Sequence, residues 1–388
     1  MERSDRFPFT ELPEALVEEM LSKSELVGDQ LYDTFKEIQN NKTKMRKQLQ
    51  EQNILKQDTE VGYPGIPTTC GVDGSYAVEK LLATDFAACA AVAIEGLTPP
   101  SEKRYEKRYW EKPHHRVFIH PEKHNLDTGT VIRGLMMEME LELAAKAPHD
   151  IVFLDGSLTT PLIYANQAIN KMLEWVNEGT QTEVGKELEE RFRKFLEDYK
   201  TILESLRTDK LWVSMPKYTT RRELGKKLSW SAHYDDRAIL TTILSPGEFT
   251  SPVPLEEPLQ PWHLRLPFKN KELERLKDEV IISAINRLYV MYYRPHNWTP
   301  VFRIEMASSI ATNNSRIAVL LQGLKYQSGT PGILEPYPLY IADRMVKHLG
   351  SAIPAFRQTA TRRMTELHQG DIGEIFFSMH GYRTESGR

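Results

Sequence analysis

Two Asp-Gly-Ser triplets close two apolar runs, Val72-Asp73-Gly74-Ser75 and Ile151-Val152-Phe153-Leu154-Asp155-Gly156-Ser157. Between them, Thr130 to Ala147 carries Glu138, Glu140 and Glu142. An apolar run ending in Asp-Gly reads as a buried strand that delivers a carboxylate to the edge of a sheet, where the backbone turns. Two such strands with a glutamate-bearing helix between them place three carboxylates around one point. Carboxylates are hard oxygen donors, so a cluster of them suits Mg²⁺ or Mn²⁺. The chemistry such a centre performs is phosphodiester hydrolysis. Two divalent ions roughly 4 Å apart, bridged by an aspartate, activate water and stabilise charge on the leaving oxygen.

The elements around these acids follow from spacing. Residues 10 to 60 read as a polar helical region, with Leu12, Ala15, Leu16, Met20, Leu26, Leu31, Phe35 and Ile38 at roughly helical intervals. Lys42, Lys44, Arg46 and Lys47 form a basic run, a solvated helix face or a contact for DNA or a partner. Gly62-Tyr63-Pro64-Gly65-Ile66-Pro67 breaks the pattern and reads as a linker. We therefore expect an N-terminal helical extension over 1–62 and one main domain over 63–388.

The main domain opens with a meander of three strands: one from Gly71, one over Phe86–Ile94 and one over Arg116–His120, with a charged loop at 99–113. Asp127 or Thr128 caps the next helix. On it Ile132, Leu135, Met136, Met139 and Leu143 share one apolar face, with Glu140 and Glu142 on its borders and Glu138 further round. Taken singly, each glutamate reads as a solvated helix charge. The triplets on either side favour a metal reading for the group. An apolar helix over 161–172, a charged helix over 183–206 and a strand over 211–217 follow. Lys217, Arg221 and Arg222 come after that strand and could hold a phosphate. The runs 288–293 and 301–306 read as a hairpin, with Arg303 and Glu305 on one face. Helices are expected over 310–325 and 339–349, and a short strand after Gly370.

Composition bounds the alternatives. Of 388 residues 40% are hydrophobic and 27% charged, as in a soluble globular protein. The net charge of −4 advertises no global basic field, though a local basic groove remains compatible. Cys70 and Cys89 are too few for a disulfide framework or a thiolate zinc site, and they suit a reducing compartment. No run approaches a membrane span and no apolar signal core opens the chain, so the expected location is cytoplasmic. His114, His115, His120 and His124 invite a zinc reading, but they lack the i, i+4 helical spacing of zinc hydrolases. A glycosidase also uses two carboxylates, usually with aromatic platforms nearby, and none flanks Asp73 or Asp155.

A carboxylate on the first strand of a meander, a glutamate on the following helix, a carboxylate on the next strand and a late helix with another acid is the layout of an RNase H-like nuclease core. Over roughly residues 70 to 349 the chain resembles the NurA nucleases. The resemblance rests on the order of Val72-Asp73-Gly74-Ser75, the helix Ile132 to Ala145, Leu154-Asp155-Gly156-Ser157-Leu158, Val213-Ser214-Met215-Pro216-Lys217, Pro246-Gly247-Glu248, Arg303-Ile304-Glu305 and Tyr337-Pro338-Leu339 followed by Ala342-Asp343. It implies an α/β fold, an RNase H-like mixed sheet flanked by helices. It implies that Asp73, Glu140 and Asp155 are catalytic and, with Asp343, bind a two-ion Mn²⁺ or Mg²⁺ centre. Glu140 takes that role if Leu143-Ala144 aligns with the family's Leu-Ala; a shift of two selects Glu138 or Glu142. Where the family carries a tyrosine and, eight residues on, a histidine, this chain has Glu335 and Asp343. Lys217 matches the family's strand-end lysine and would contact a phosphate, as would Arg221, Arg222 and Tyr337 contact DNA. The resemblance further implies a homodimeric DNA nuclease docked on a HerA-like hexameric ATPase, in DNA repair or antiviral defence. The chain itself has no nucleotide-binding Gly-rich loop ending in Lys-Ser/Thr. The alternative is an RNase H-like scaffold that has lost its metals.

Overall fold

A computed structural model describes residues 12–82, 84–97, 115–180 and 182–386. The charged loop expected over 99–113, and His114 with it, lie outside the described residues.

A long helix, α1 (Glu14–Glu51), leads into strand β1 (Leu55–Gln57). Strands β2 (Thr69–Leu81), β3 (Asp85–Glu95) and β4 (His115–Glu122) form the expected antiparallel meander. Helix α2 (Thr128–Lys146), strand β5 (Ile151–Asp155), helices α3 (Thr160–Asn177) and α4 (Glu183–Glu204), and strand β6 (Leu211–Met215) follow. Then come α5 (Glu223–Lys227), α6 (Asp236–Ile243), β7 (Glu248–Thr250), β8 (Val253–Pro254) and α7 (Lys271–Asp278). The hairpin β9 (Leu288–Arg294) and β10 (Phe302–Ala307) precedes α8 (Ser308–Ala311), α9 (Asn314–Gln327), α10 (Tyr337–Leu367), α11 (Ile372–Ser378) and β11 (Gly381–Ser386).

The strands make one mixed sheet in the order β1-β7-β9-β10-β6-β5-β2-β3-β4. Strand β5 runs parallel to β2 on one side and to β6 on the other. The remaining pairs are antiparallel. The alanine-rich β3 lies next to the edge strand β4, and its small side chains let α2 and α10 approach it from opposite faces. Helices α2, α3 and α4 bury Val131, Leu135, Leu162, Ile169, Phe192 and Phe195 against one face. On the other face Ile317, Leu320, Leu324 of α9 and Leu339 of α10 pack on Ile151, Phe153, Val213 and Ile304. The result is a sheet between two helical layers.

Several local expectations give way to tertiary structure. The first Asp-Gly-Ser triplet does not end its strand: β2 continues through Gly74 to Leu81, because β3 pairs with it along its whole length. Only the second triplet turns, with Gly156 at φ +73°, a conformation glycine adopts without penalty. Asp127 precedes α2 but its side chain caps nothing there; it pairs with Lys171 on α3 at 3.3 Å. The chain after Gly370 forms a helix before its last strand. Residues 55–57 of the N-terminal region pair with β7 in the main sheet.

Helix α1 divides at its midpoint. Its second half buries Ile38, Met45 and Leu49 beside Leu240, Ile243 and Val290. Arg46, one of the basic run, is fastened to the buried Glu248 and to the Ile243 carbonyl. Its first half leaves Leu16, Met20, Val27 and Leu31 exposed.

Candidate metal centre and cleft

Three parallel strands, β2, β5 and β6, present their carboxyl ends to one crevice, the usual place for a site in an α/β sheet. Their register sets the acids side by side. Val72 pairs with Leu154 and Asp155 with Met215. Asp73 therefore lies just past the last pair with β5. The next partner on that side, β11, starts only at Ala77. The gap between β5 and β11 leaves Asp73 at an opening in the sheet.

Residues alternate between faces along β2. A Cβ on Gly71 would lie 2.5 Å from the Leu339 nitrogen and the Pro338 carbonyl carbon, so the start of α10 rests directly on the strand there. Asp73 shares that face. Asp343, in the second turn of α10, is carried to it by this close approach. Carboxylate oxygens of Asp73, Asp155 and Asp343 all lie within 4.8 Å of one another. Gly74 points the opposite way, towards α2. A Cβ there would lie 2.4 Å from Glu140 Oε1 and 2.8 Å from Met136 Cγ. Glycine at 74 is what lets the Glu140 carboxylate settle against the strand.

The electrostatics are those of crowded acids. Burial, with repulsion from Asp155 second, pushes the Asp73 carboxyl up to about 8, against a hydrogen bond from Gly74 N–H at 2.8 Å. Burial likewise raises Glu140 well above the ordinary range, helped by Asp73 and Asp155. These acids cannot all ionise together without a cation. Hard oxygen donors from three chain segments, crowded together, are the donor set that Mg²⁺ or Mn²⁺ selects. Asp73, Asp155 and Asp343 would hold such an ion, with Glu140 adjoining them.

The other two helix glutamates are committed elsewhere. All three are buried, because the sheet covers α2 on one side and α3 and α4 on the other. Glu142 receives Arg116 from β4 at 2.7 and 2.9 Å. These contacts and Lys146 hold its carboxyl down at about 2. Glu138 faces Arg191 of α4 at 3.3 Å. Of the three, Glu138 and Glu142 thus have basic partners on distant elements, while Glu140 lies against Gly74 beside Asp73.

Lys217 follows β6 and stands among acids. Its Nζ is 3.0 Å from Glu335, 3.2 Å from Asp155 and 3.4 Å from Asp343. These three carboxylates hold the ammonium in its charged form despite burial. Beside it opens a cleft of 1190 Å³ whose walls include Asp155, Ser157, Tyr218, Arg221, Arg237 and Lys347. Arg221 donates to the Glu256 carbonyl at 2.9 Å and still lines this cleft. Arg222 does not: its guanidinium donates to the carbonyls of Trp230, Ser231 and Tyr234 and ties the loop before α6. Tyr337 begins α10 and is not among the residues of the cleft wall. Arg237 and Lys347 are cleft cations that sequence reading passed over. Lys347 was findable, four residues from Asp343 on the same helix face and 2.8 Å from it. Arg237 carries no local signal; it reaches the cleft because α6 packs near Val301, whose carbonyl it meets at 2.9 Å.

Behind the Asp155 turn lies a buried ion network. Glu305 accepts hydrogen bonds from Ser157 Oγ at 2.6 Å and Leu158 N–H at 3.0 Å. Arg303 braces Glu305 at 3.1 Å and forks onto Glu223 at 2.7 and 2.8 Å. The hairpin β9–β10 thus pins the loop that carries Asp155. Of the histidines, His124 sits 2.7 Å from Asp85, and no described histidine joins a metal-competent cluster.

Comparison with known proteins places the chain. Residues 67–348 match the NurA domain. Among solved structures, the NurA nuclease from Sulfolobus solfataricus is 16% identical, with a TM-score of 0.57 over 90% of this chain and 98% of that one. A second NurA crystal structure is 14% identical, with a TM-score of 0.52 over 90% and 99%. A third, of NurA bound to dAMP and manganese, is 14% identical, with a TM-score of 0.46 over 85% and 96%. No curated protein matches the chain significantly.

Proposed function

This chain belongs to the NurA family of metal-dependent nucleases, and from that premise we propose that it hydrolyses phosphodiester bonds of DNA at the Asp73–Asp155–Asp343 centre with Mn²⁺ or Mg²⁺. The observation that carries the reading is the convergence of three aspartates, from segments far apart in sequence, within 4.8 Å. An acid cluster beside a cleft with Lys217, Arg221, Arg237 and Lys347 on its walls suits a phosphate backbone. The strand order β4-β3-β2-β5-β6, antiparallel and then parallel, supports the RNase H-like reading of the core. The intact acids weigh against a scaffold that has lost its metals.

The roles follow from position. Asp73, Asp155 and Asp343 would hold the ions, and Glu140 would adjoin them from the α2 side. When bound, divalent ions supply charge stabilisation at the phosphate and activation of water. Arg221 and Arg237 orient the backbone along the cleft. Glu305 positions the Asp155 turn through Ser157 and Leu158. No helix among the described residues is long and apolar enough to cross a membrane. The exposed apolar residues on the first half of α1 suit a protein partner. We assign them to homodimer formation or docking on a HerA-like hexameric ATPase, in DNA repair or antiviral defence.

The test is cleavage of end-labelled single- and double-stranded DNA with Mn²⁺, Mg²⁺ or EDTA, with and without a HerA-like ATPase. Cleavage that needs the ion and stops in EDTA is expected. Cleavage that persists in EDTA refutes the metal mechanism, and none under any condition with the ATPase bound returns the scaffold reading. Gly74→Ala probes Glu140 separately. The added methyl displaces the flexible end of Glu140, so cleavage falls by about 100-fold while the fold persists. A far-ultraviolet spectrum and melting curve close to wild type, beside normal turnover, would show that Glu140 has no part.

A further inference from the structure

The ammonium of Lys217 occupies the mouth of the metal centre. Two of its three acid partners, Asp155 and Asp343, belong to the three-aspartate group. The third, Glu335, lies outside that group. Lys217 therefore does for these carboxylates what a bound cation would do. We propose that Lys217 is an exchangeable counter-ion: it neutralises the acids in the ion-free protein and leaves Asp155 and Asp343 when a divalent ion enters. The released ammonium then meets a DNA phosphate in the adjoining cleft. The inference rests on the metal-dependent reading above.

The physical case has three parts. A divalent ion on Asp155 and Asp343 turns the local field at the ammonium from attraction to repulsion. Lysine is suited to leave: it is a point charge on a flexible stem, whereas arginine would be held by its planar fork. There is also somewhere to go. Lys217 lines the 1190 Å³ cleft and, with Glu335, a second cavity of 380 Å³. Its side chain retains 26% exposure, so the exchange does not require the core to open. Because coupling is reciprocal, an ion that frees the lysine raises affinity for phosphate, and phosphate that captures the lysine raises affinity for the ion.

Calorimetric titration of Mn²⁺ into the DNA-free protein tests this without turnover. Lys217→Met is expected to bind Mn²⁺ about tenfold tighter than wild type or more, since a competing charge is gone. Lys217→Arg, which keeps the charge, is not. Equal or weaker binding by Lys217→Met overturns the proposal. A second measurement uses the wild-type chain. Amine acetylation read by mass spectrometry should modify Lys217 several-fold faster with Mn²⁺ than with EDTA, and a rate that ignores the ion overturns the exchange. If Mn²⁺ binds equally to wild type and Lys217→Met, the exchange alone falls. If it binds to neither, the metal-dependent reading falls with it.

Discussion

Asp73→Asn abolishes Mn²⁺-dependent cleavage, by at least about 10³-fold, yet raises the melting temperature of the ion-free protein at pH 8. Asp155→Asn has the same effect on cleavage. An amide cannot supply the charge that holds the ions, so turnover is lost in each variant. The gain in stability comes from the same crowding. Burial, with repulsion from Asp155, raises the Asp73 carboxyl in the folded protein from an ordinary value of 3.8 to about 8. A carboxyl whose folded pKa is raised contributes stability that is complete below the unfolded value and lost as pH rises through the folded one. Glu138, raised to about 7, and Asp236, raised to about 6, act in the same direction. The ion-free wild type therefore loses melting temperature from pH 5 to pH 8. Asp73→Asn flattens that slope, and Mn²⁺ opposes it by binding the ionised acids. Melting curves across this pH range, with EDTA and with Mn²⁺, check both statements. A slope that Asp73→Asn leaves unchanged would show that Asp73 is not the group responsible.

Arg303→Met destabilises the protein by about 3–5 kcal/mol, the usual cost of removing one partner of a buried ion pair. Arg303 is fully buried on β10 and pairs with Glu223 and Glu305, with the Tyr292 hydroxyl also in contact. Removing the guanidinium leaves two carboxylates in the interior without a counter-charge. Their repulsion reaches the centre through Glu305, which holds Ser157 and Leu158 beside Asp155. Cleavage is therefore expected to fall further than stability alone explains. Adding Glu223→Gln and Glu305→Gln to Arg303→Met removes the stranded charges and restores much of the melting temperature, but not the geometry of the turn. Urea unfolding and cleavage rates of the single and triple variants separate the two effects. A single variant as stable as wild type would mean that the network is not a fastening.

Much of the centre was legible because its signals are local. Asp73 and Asp155 announce themselves by where an apolar run meets Asp-Gly, and the meander that carries Asp73 follows from three apolar runs separated by polar breaks. Asp343 was legible only through likeness to a family. The choice among Glu138, Glu140 and Glu142 was not legible, since helical periodicity treats a border position and a buried one alike. What distinguishes them is tertiary: Arg116 and Arg191, from a strand and a helix elsewhere in the chain, engage Glu142 and Glu138, and the missing side chain at Gly74 makes room for Glu140. Arg222 looked as free as Arg221, and only the carbonyls of Trp230, Ser231 and Tyr234 tell them apart.

By itself, then, the sequence determined most of the element types, the meander of β2, β3 and β4, and Asp73 and Asp155 as candidate ligands for an ion. These depend on residue type and on periods of two and 3.6, which neighbours in the chain share. Tertiary structure decided that β2 runs on past Gly74, that α10 lies against Gly71 close enough to bring Asp343 to Asp73, and that Lys217 sits among the acids. Each depends on which distant segment fills the space beside a residue, and on charges that interact through the interior, not along the chain.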